Sequence, residues 1–136
     1  MGFSQAQLEE YEGRTVPDLV APGIKLLFVG INPGLWTAAT QTHFCHPSNR
    51  FYPALRRAGL IDLVFDTDVG MSDSQRAGFL SRGMGITNLV ARATARASEI
   101  RPEELRLGGE RLKAAGGELA PSVVATFPAI TSIDHC

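Results

Sequence analysis

The sequence predicts an α/β protein, a three-layer α/β/α fold with a mostly parallel central sheet. Three short apolar runs alternate with segments that carry helix-capping residues, and such alternation is typical of a parallel, doubly wound sheet. The chain has 136 residues and a hydrophobic fraction of 44%, which is enough for one domain with a buried core. We divide it into an N-terminal lead-in (1–23), the α/β domain (24–127) and a divergent tail (128–136).

The first half of the chain predicts two helices and one strand. Residues 3–12 form a short helix. Residues 24–29 are apolar on both faces, which predicts a fully buried strand. A long functional loop, 30–47, follows. Ser48 or Asn49 caps the next helix, which runs to about Ala58. Pro53 is tolerated only if this helix starts late, so that the proline falls in its first turn.

The second half predicts two further helices and two further strands. A helix capped at residue 72 or 73 ends near residue 82, and a strand covers 85–90. After a basic loop, proline opens a helix over 102–119. That helix contains four glycines, and each lowers helix stability by about 1 kcal/mol relative to alanine. We therefore expect the middle of this helix to be loosely formed. The last strand, 122–127, is expected to be core.

Charge and composition exclude several classes of protein. The net charge is −1, so the chain is not a polycation. No apolar run approaches the roughly 20 residues that span a bilayer, and the N-terminus does not resemble a signal peptide. We therefore expect a cytoplasmic protein. Of the thirteen basic residues only Lys25 and Lys113 are lysines; the arginines suit phosphate contacts, although a GC-rich genome gives the same bias.

The two cysteines do not predict a metal site. Cys45 is adjacent to His46, and Cys136 is adjacent to His135, whereas the ligands of zinc sites are separated by two to five residues. Two free thiols are the expectation, and we predict neither a metal nor a cofactor.

The most informative segment follows the first predicted strand. The strand ends in Gly30-Ile31-Asn32-Pro33-Gly34, a rigid turn that presents the amide of Asn32 at the carboxyl edge of the sheet. Ligand crevices of open α/β sheets form at that edge. Pro33 keeps Asn32 out of the helical region, and the flanking glycines allow the backbone to approach a ligand closely.

Together with Phe44 and the sequence His46-Pro47-x-Asn49-Arg50-Phe51, this turn resembles the first motif of the mismatch-specific uracil/thymine-DNA glycosylases. These enzymes are the G·U/G·T-directed branch of the uracil-DNA glycosylase superfamily. Segments 21–23, 85–90 and 93–97 resemble the same family, and the likeness covers roughly residues 20 to 125.

The resemblance implies a monofunctional hydrolase of base-excision repair. Its substrate is uracil or thymine mispaired with guanine, or a damaged pyrimidine such as ethenocytosine, and it breaks the N-glycosidic bond without a metal or cofactor. The implied partner is double-stranded DNA containing G·U or G·T mismatches, the protein is a monomer, and no membrane is involved. The target nucleotide is first flipped out of the duplex, and mispaired bases are the least costly to extrude.

The resemblance also implies roles for individual residues. Asn32 cannot abstract a proton, but its carbonyl oxygen can hold a water and aim it at the sugar C1′. Phe44 stacks on the flipped base. The implied substrate-binding residues are Gly30, Ile31, Pro33, Gly34, Thr37 and Phe44. The residues that support the motif or contact DNA are His46, Asn49 and Arg50.

Each of these residues has a structural alternative. Asn32 can be a simple turn residue, Phe44 a core residue and His46 a buried structural histidine. Arg50 can bind phosphate or pair locally. Three further arginines form either a solvated face or a phosphate track, namely Arg92, Arg96 and Arg101.

The chain departs from the family at its end. The family has a second motif, an Asn-Pro-Ser-Gly-like or Met-Pro-Ser-like loop that fills the gap left by the flipped base, and no such segment exists here. We therefore expect the last strand or strands and the closing helix to be missing. The alternative function is a catalytically inactive truncated remnant with at most weak DNA binding. A nucleotide-binding module is disfavoured, because the turn lacks both phosphate-binding fingerprints.

Overall fold

The computed structural model describes residues 2–119 and 121–126, so the predicted tail and the pair His135-Cys136 lie outside the described residues. Its helices and strands, in chain order, are α1 (Gln5–Glu9), β1 (Leu26–Gly30), α2 (Leu35–Thr40), α3 (Phe51–Arg57), α4 (Asp73–Ser81), β2 (Met84–Asn88), a 3₁₀ turn (Ala97–Glu99), α5 (Pro102–Leu119) and β3 (Val123–Thr126). Within this part of the chain no helix has the length and apolar character needed to cross a membrane.

Within the described residues the sheet has three parallel strands in the order β2-β1-β3. The central strand β1 pairs with β2 from Leu26↔Met84 to Gly30↔Asn88, and with β3 from Leu26 onward. The predicted α/β class with a parallel sheet is confirmed. The carboxyl ends of β1 and β2 are adjacent, because Gly30 and Asn88 are partners in the register.

Helices cover both faces of β1. Alternate residues of a strand point to opposite faces, and Phe28 packs on one face with Phe51 of α3 and Phe79 of α4. Leu27 and Val29 point to the other face, where their cluster includes Leu112 of α5. This explains why the strand is apolar at every position, and it confirms the three-layer arrangement.

Side-chain caps explain where the predicted helices begin. Ser4 and Ser72 each form a capping box, with Gln7 and Gln75 respectively. Helix α3 begins at Phe51 with Arg50 as its N-cap residue, so the predicted cap at Ser48 or Asn49 is wrong, although Asn49 Oδ1 accepts the Phe51 N–H at 2.9 Å. The late start places Pro53 in the first turn, as expected.

Three further predictions are wrong. The loop 30–47 contains helix α2, whose N-cap residue, Gly34, makes no side-chain hydrogen bond; burial of its apolar side chains, not a cap, stabilises it. The third strand is not core, because β3 is an edge strand on which Val123 and Val124 are 55% and 53% exposed.

The third of these wrong predictions concerns helix α5. Its glycines suggested a loose middle, but the helix has no interruption there. It is continuous from Pro102 to Leu119. The reason lies at Gly108, which packs directly against the backbone of Leu89, just after β2. A Cβ at Gly108 would overlap the Leu89 carbonyl oxygen and lie 2.7 Å from its carbonyl carbon. This glycine is therefore needed for close packing of the helix on the sheet.

The two neighbouring glycines of α5 provide a matched test. Gly108→Ala should destabilise the fold by about 1–3 kcal/mol, since overpacking against backbone exceeds the gain in helix propensity. Gly109→Ala should stabilise it by up to about 1 kcal/mol, because nothing lies within 4 Å of a Cβ there. Denaturant unfolding of both variants measures the difference. Equal stabilities would contradict the packing described for Gly108.

Candidate active site

The turn after β1 lies against the segment that follows β2. The N–H groups of Leu89 and Val90 donate to the carbonyl oxygens of Gly30 and Ile31, both at 2.9 Å. Farther along, the Thr94 N–H donates to Pro33 O at 3.2 Å. These bonds replace strand pairing beyond Asn88, which is why β2 is shorter than predicted. They hold the turn and residues 89–94 together at the carboxyl edge of the sheet.

The amide of Asn32 is fixed in one orientation. Its Nδ2 donates to Arg92 O at 2.9 Å, to Thr94 Oγ1 at 2.9 Å and to Pro33 O at 3.2 Å. Carbonyl oxygens can only accept, and Thr94 Oγ1 uses its own hydrogen on Arg96 O at 2.7 Å. A rotated amide would therefore place its oxygen against three acceptors.

The other end of this amide has no partner. Asn32 is 4% exposed, and among the described residues its Oδ1 is a buried polar atom without a hydrogen bond. A buried, unpaired acceptor costs about 1–3 kcal/mol, and such groups in native structures call for an explanation. An acceptor held in place with its lone pairs unused can bind a water or another donor.

The N-terminal lead-in stabilises the segment that holds Asn32. The Gly13 N–H donates to Ala93 O at 2.9 Å, and the Ala93 N–H donates to Arg14 O at 2.8 Å. Val16 packs with Leu35 and Ala93 in a small apolar cluster. The lead-in therefore fixes the position of the Asn32 hydrogen-bond partners, although it lies outside the motif.

Gly30, Phe44 and Asn88 meet beside the turn. A Cβ at Gly30 would overlap Asn88 Oδ1 and lie 3.1 Å from Phe44 Cε1. Phe44 is half-buried, its ring centre lies 4.5 Å from that of Phe51, and its backbone has a φ of +57°. A phenylalanine with a left-handed backbone conformation is uncommon, and such strained residues cluster at functional sites. The absence of a side chain at Gly30 therefore lets the Asn88 amide and the Phe44 ring pack closely against the backbone of the turn.

His43 connects Asn88 to the lead-in. Its Nε2 lies 2.8 Å from Pro17 O, and its Nδ1 lies 3.2 Å from Asn88 Nδ2. The ring is 3% exposed, and burial lowers the pKa of His43 from its usual value. The imidazole is therefore neutral at pH 7.

The other residues predicted to bind substrate lie in the turn or close to it. Pro33 and Gly34 are buried, Ile31 is half-buried, and Thr37 is 2% exposed on α2. All lie within the turn or the helix that follows it. The structure thus brings Gly30, the turn and Phe44 to one edge of the sheet.

The three motif residues after Phe44 mainly order the loop. His46 Nδ1 accepts the Ser48 N–H at 3.1 Å, its ring centre lies 5.0 Å from that of Trp36, and burial lowers its pKa. Asn49 caps α3. Arg50 is exposed at the start of α3 and forms no ion pair with any residue that the structure describes, so its guanidinium is available to a phosphate.

The arginines after β2 lie at or near the surface, as expected of a solvated face: Arg96 and Arg101 are exposed and Arg92 is half-buried. Arg92 contacts Glu104 through two hydrogen bonds, at 2.8 and 3.0 Å, and Arg101 lies 3.5 Å from the same carboxylate. The hydrogen bond from Arg92 is the main reason that the pKa of Glu104 falls to about 2. Two of the three arginines are thus paired with a carboxylate of α5.

The structure gives no support to a metal site. Among residues 2–119 and 121–126 no group of three His, Cys, Asp or Glu side chains could hold an ion. Cys45 is a buried free thiol whose pKa is raised by burial.

Two cavities lie close to the site. The larger, about 270 Å³, is lined by residues that include Pro17, Asp18, Gln41 and His43. The smaller, about 170 Å³, lies between α5 and the end of β2 and includes Asn88 in its wall. Neither of these cavities includes Asn32 in its lining, so a ligand that contacts the Asn32 Oδ1 must displace neighbouring side chains.

Sequence reasoning missed His43 and Asn88 as site residues. Asn88 carried a usable signal, because it falls near the end of the second predicted strand, and parallel strands place their carboxyl ends at one edge. His43 carried none, since its contact with Asn88 joins residues 45 apart in the chain.

A comparison with protein families agrees with this geometry. A family model described as the uracil DNA glycosylase superfamily matches residues 17–133, which is most of the chain. The matched region contains the turn, α2, the Phe44 loop and both strands that form the site edge.

The orientation of Asn32 can be tested by a charge change. In Asn32→Asp the introduced carboxylate faces three oxygen atoms, so its folded-state pKa should rise above about 3.9. The stability loss should be small near pH 4 and grow as the pH rises to 7, reaching about 1–3 kcal/mol. Thermal unfolding at both pH values measures it.

Asn49→Asp is the matched control. Its oxygen already accepts an N–H at the start of α3, where a negative charge is favourable. That variant should therefore be no less stable at pH 7 than at pH 4, relative to the parent. The same pH dependence in both variants would contradict the orientation of Asn32.

Proposed function

The chain belongs to the uracil-DNA glycosylase superfamily, and from this premise we propose that it excises uracil or thymine mispaired with guanine. Membership itself indicates a hydrolase of N-glycosyl bonds that acts on uracil-type lesions in DNA. The finer proposal is a monofunctional, mismatch-directed enzyme that also accepts damaged pyrimidines such as ethenocytosine. It rests on the motif residues and on the arrangement of the turn.

One observation carries the proposed mechanism. The Nδ2 of Asn32 is held by three oxygen atoms while its Oδ1 has no partner. An amide oxygen cannot take up a proton at neutral pH, so Asn32 acts by position. It accepts a hydrogen bond from one water and directs the water oxygen at C1′ of the flipped nucleoside, which lowers the barrier without proton transfer to the protein.

The departing base explains why positioning is sufficient. Uracil leaves as an anion whose charge spreads over its two oxygens, so no general acid is needed to protonate it first. Peptide N–H groups of the turn Gly30–Gly34 are suited to stabilise that charge, as in an oxyanion hole. As the C1′–N1 bond breaks, its electron pair goes to the base. The positioned water adds to C1′ and loses one proton to solvent or to the departing base anion.

The side chains next to Gly30 are suited to bind the base. Phe44 offers an aromatic ring, and stacking on such a ring is worth about 1–3 kcal/mol whatever the base. Asn88 offers amide hydrogen-bonding groups to the edge of the base. Both pack so closely on Gly30 that any side chain at this position would collide with Asn88 Oδ1, and the base must displace them to enter.

Entry of the base requires that it leave the duplex. Extrusion costs a few kcal/mol in unstacking and unpairing, and the cost is lowest for a mispaired base. A G·U or G·T pair therefore reaches the site more readily than a Watson–Crick pair. The exposed Arg50 supports a contact with the DNA backbone next to the flipped nucleotide.

Single-turnover kinetics tests the role of Asn32. Asn32→Ala should slow uracil release from a G·U duplex by about 100-fold or more, because the water loses its positioning partner. Its affinity for the duplex should change little, since the amide contacts water and not DNA. The rate and the dissociation constant are measured separately.

A capping variant controls for lost stability. Ser72→Ala removes a helix cap on α4 at a cost of about 1 kcal/mol, and Ser72 is outside the motif and exposed. It should release uracil at the parental rate at a temperature where both variants are folded. If Asn32→Ala also released uracil at the parental rate, the assigned role of Asn32 would be wrong.

A further inference from the structure

We propose that Glu104 of α5 is a positioning residue for the reaction, which acts through Arg92 to hold the Asn32 amide in its productive orientation. This inference rests on the proposed function, because it takes the water at Asn32 Oδ1 as the nucleophile. Glu104 itself contacts neither the substrate nor that water in this proposal.

The carboxylate of Glu104 holds the guanidinium of Arg92 by two parallel hydrogen bonds. Arg92 Nε donates to Oε2 at 2.8 Å, and Arg92 Nη2 donates to Oε1 at 3.0 Å. Paired bonds of this kind fix the geometry of both side chains, and they are stronger than bonds between neutral groups. The Glu104 side chain is only 19% exposed, so salt screens this pair less than it screens a fully exposed pair.

Glu104 is in turn held by the start of its own helix. Its Oε1 also accepts the Arg101 N–H at 3.0 Å, and Arg101 immediately precedes the first turn of α5. This contact is the returning half of a capping box, and it places a negative charge at the positive end of the helix dipole. The carboxylate therefore has a fixed position from which it can orient Arg92.

The backbone of Arg92 connects this ion pair to the site. Arg92 O accepts the hydrogen bond from Asn32 Nδ2 at 2.9 Å. One residue thus contacts α5 through its side chain and Asn32 through its carbonyl group. A change in the position of the guanidinium is transmitted to the acceptor that helps to orient the amide.

The same side chain also closes the loop that carries a second acceptor. Arg92 Nη2 donates to Glu99 O at 3.3 Å, so the guanidinium joins the two ends of the segment 92–99. Thr94 lies within this segment, and its Oγ1 accepts from Asn32 Nδ2 at 2.9 Å. Two of the three acceptors of Asn32 therefore belong to a segment that the ion pair holds together. The lead-in supports this segment only from the other side, at Ala93.

The measurement is single-turnover uracil release from a G·U duplex at saturating protein. Glu104→Gln keeps the shape of the side chain but removes its charge and one of its acceptor oxygens. The rate should fall roughly tenfold, because a small misplacement of the amide weakens the positioning of the water without abolishing it. The dissociation constant for a duplex with uncleavable 2′-fluoro-2′-deoxyuridine should not rise, since loss of a negative charge does not weaken phosphate binding.

Glu103→Gln is the matched control. Glu103 lies in the same first turn of α5, and it pairs with Arg106 at 3.4 Å on the exposed face of the helix. This variant loses the same charge at the same end of the helix but no contact with Arg92. It should release uracil at the parental rate.

A double variant separates positioning from a general loss of structure. In an Asn32→Ala background, Glu104→Gln should have no further effect on the rate, since it acts only through the amide. A rate loss caused by partial unfolding would persist in that background. Arg92→Gln removes the other member of the pair and should lower the rate by a similar factor, and it serves if Glu104→Gln does not fold.

Four results would overturn the inference. They are a parental rate in both Glu104→Gln and Arg92→Gln, an equal rate loss in Glu103→Gln, and an undiminished effect of Glu104→Gln in the Asn32→Ala background. The fourth is weaker DNA binding by Arg92→Gln with an unchanged rate at saturation, which would assign Arg92 to a phosphate contact. Failure of the parent protein to release uracil would instead contradict the proposed function, so the two failures are distinguishable.

Discussion

The hydrogen bonds of one amide nitrogen determine the rest of the site. Asn32 Nδ2 binds Pro33 O, Arg92 O and Thr94 Oγ1, and these three acceptors leave the amide a single stable orientation. Rotating the amide would break these hydrogen bonds, and in a buried site each lost bond costs about 1–3 kcal/mol. The protein, and not the solvent, therefore determines the orientation of the amide. The unpaired oxygen is a consequence of how the nitrogen is held.

The rest of the fold keeps these acceptors in place. Strand β1 is central and buried on both faces, so the turn at its end is rigid. The segment after β2 lies against the turn, and the lead-in donates to and accepts from Ala93. Gly108 lets α5 pack directly on Leu89. The amide of Asn32 is thus fixed from three parts of the chain that are far apart in sequence.

Much of this architecture could be predicted from local sequence. The apolar run before Gly30 specified a buried strand, and the serines at positions 4 and 72 specified helix starts through their own hydrogen bonds. Pro102 predicted the start of α5 correctly. These features depend on residues close together in the chain, and local chemistry decides them.

The errors have tertiary causes. Helix α2 starts at a glycine without a side-chain cap and is stabilised by burial, which no local signal reports. The continuity of α5 depends on contact between Gly108 and Leu89. Similarly, Asn88 and His43 become site residues only when the sheet register and the Phe44 loop bring them together. The roles of Asn32 and Phe44 remain predictions that the geometry supports.

A structure bound to G·U DNA with an uncleavable 2′-fluoro-2′-deoxyuridine tests the central claim most directly. The account predicts a water about 3 Å from Asn32 Oδ1, placed between that oxygen and C1′, with Nδ2 still bound to Arg92 O and Thr94 Oγ1. An Asn32 Oδ1 bonded to a protein donor, or an amide rotated so that Nδ2 faces the nucleoside, would contradict it.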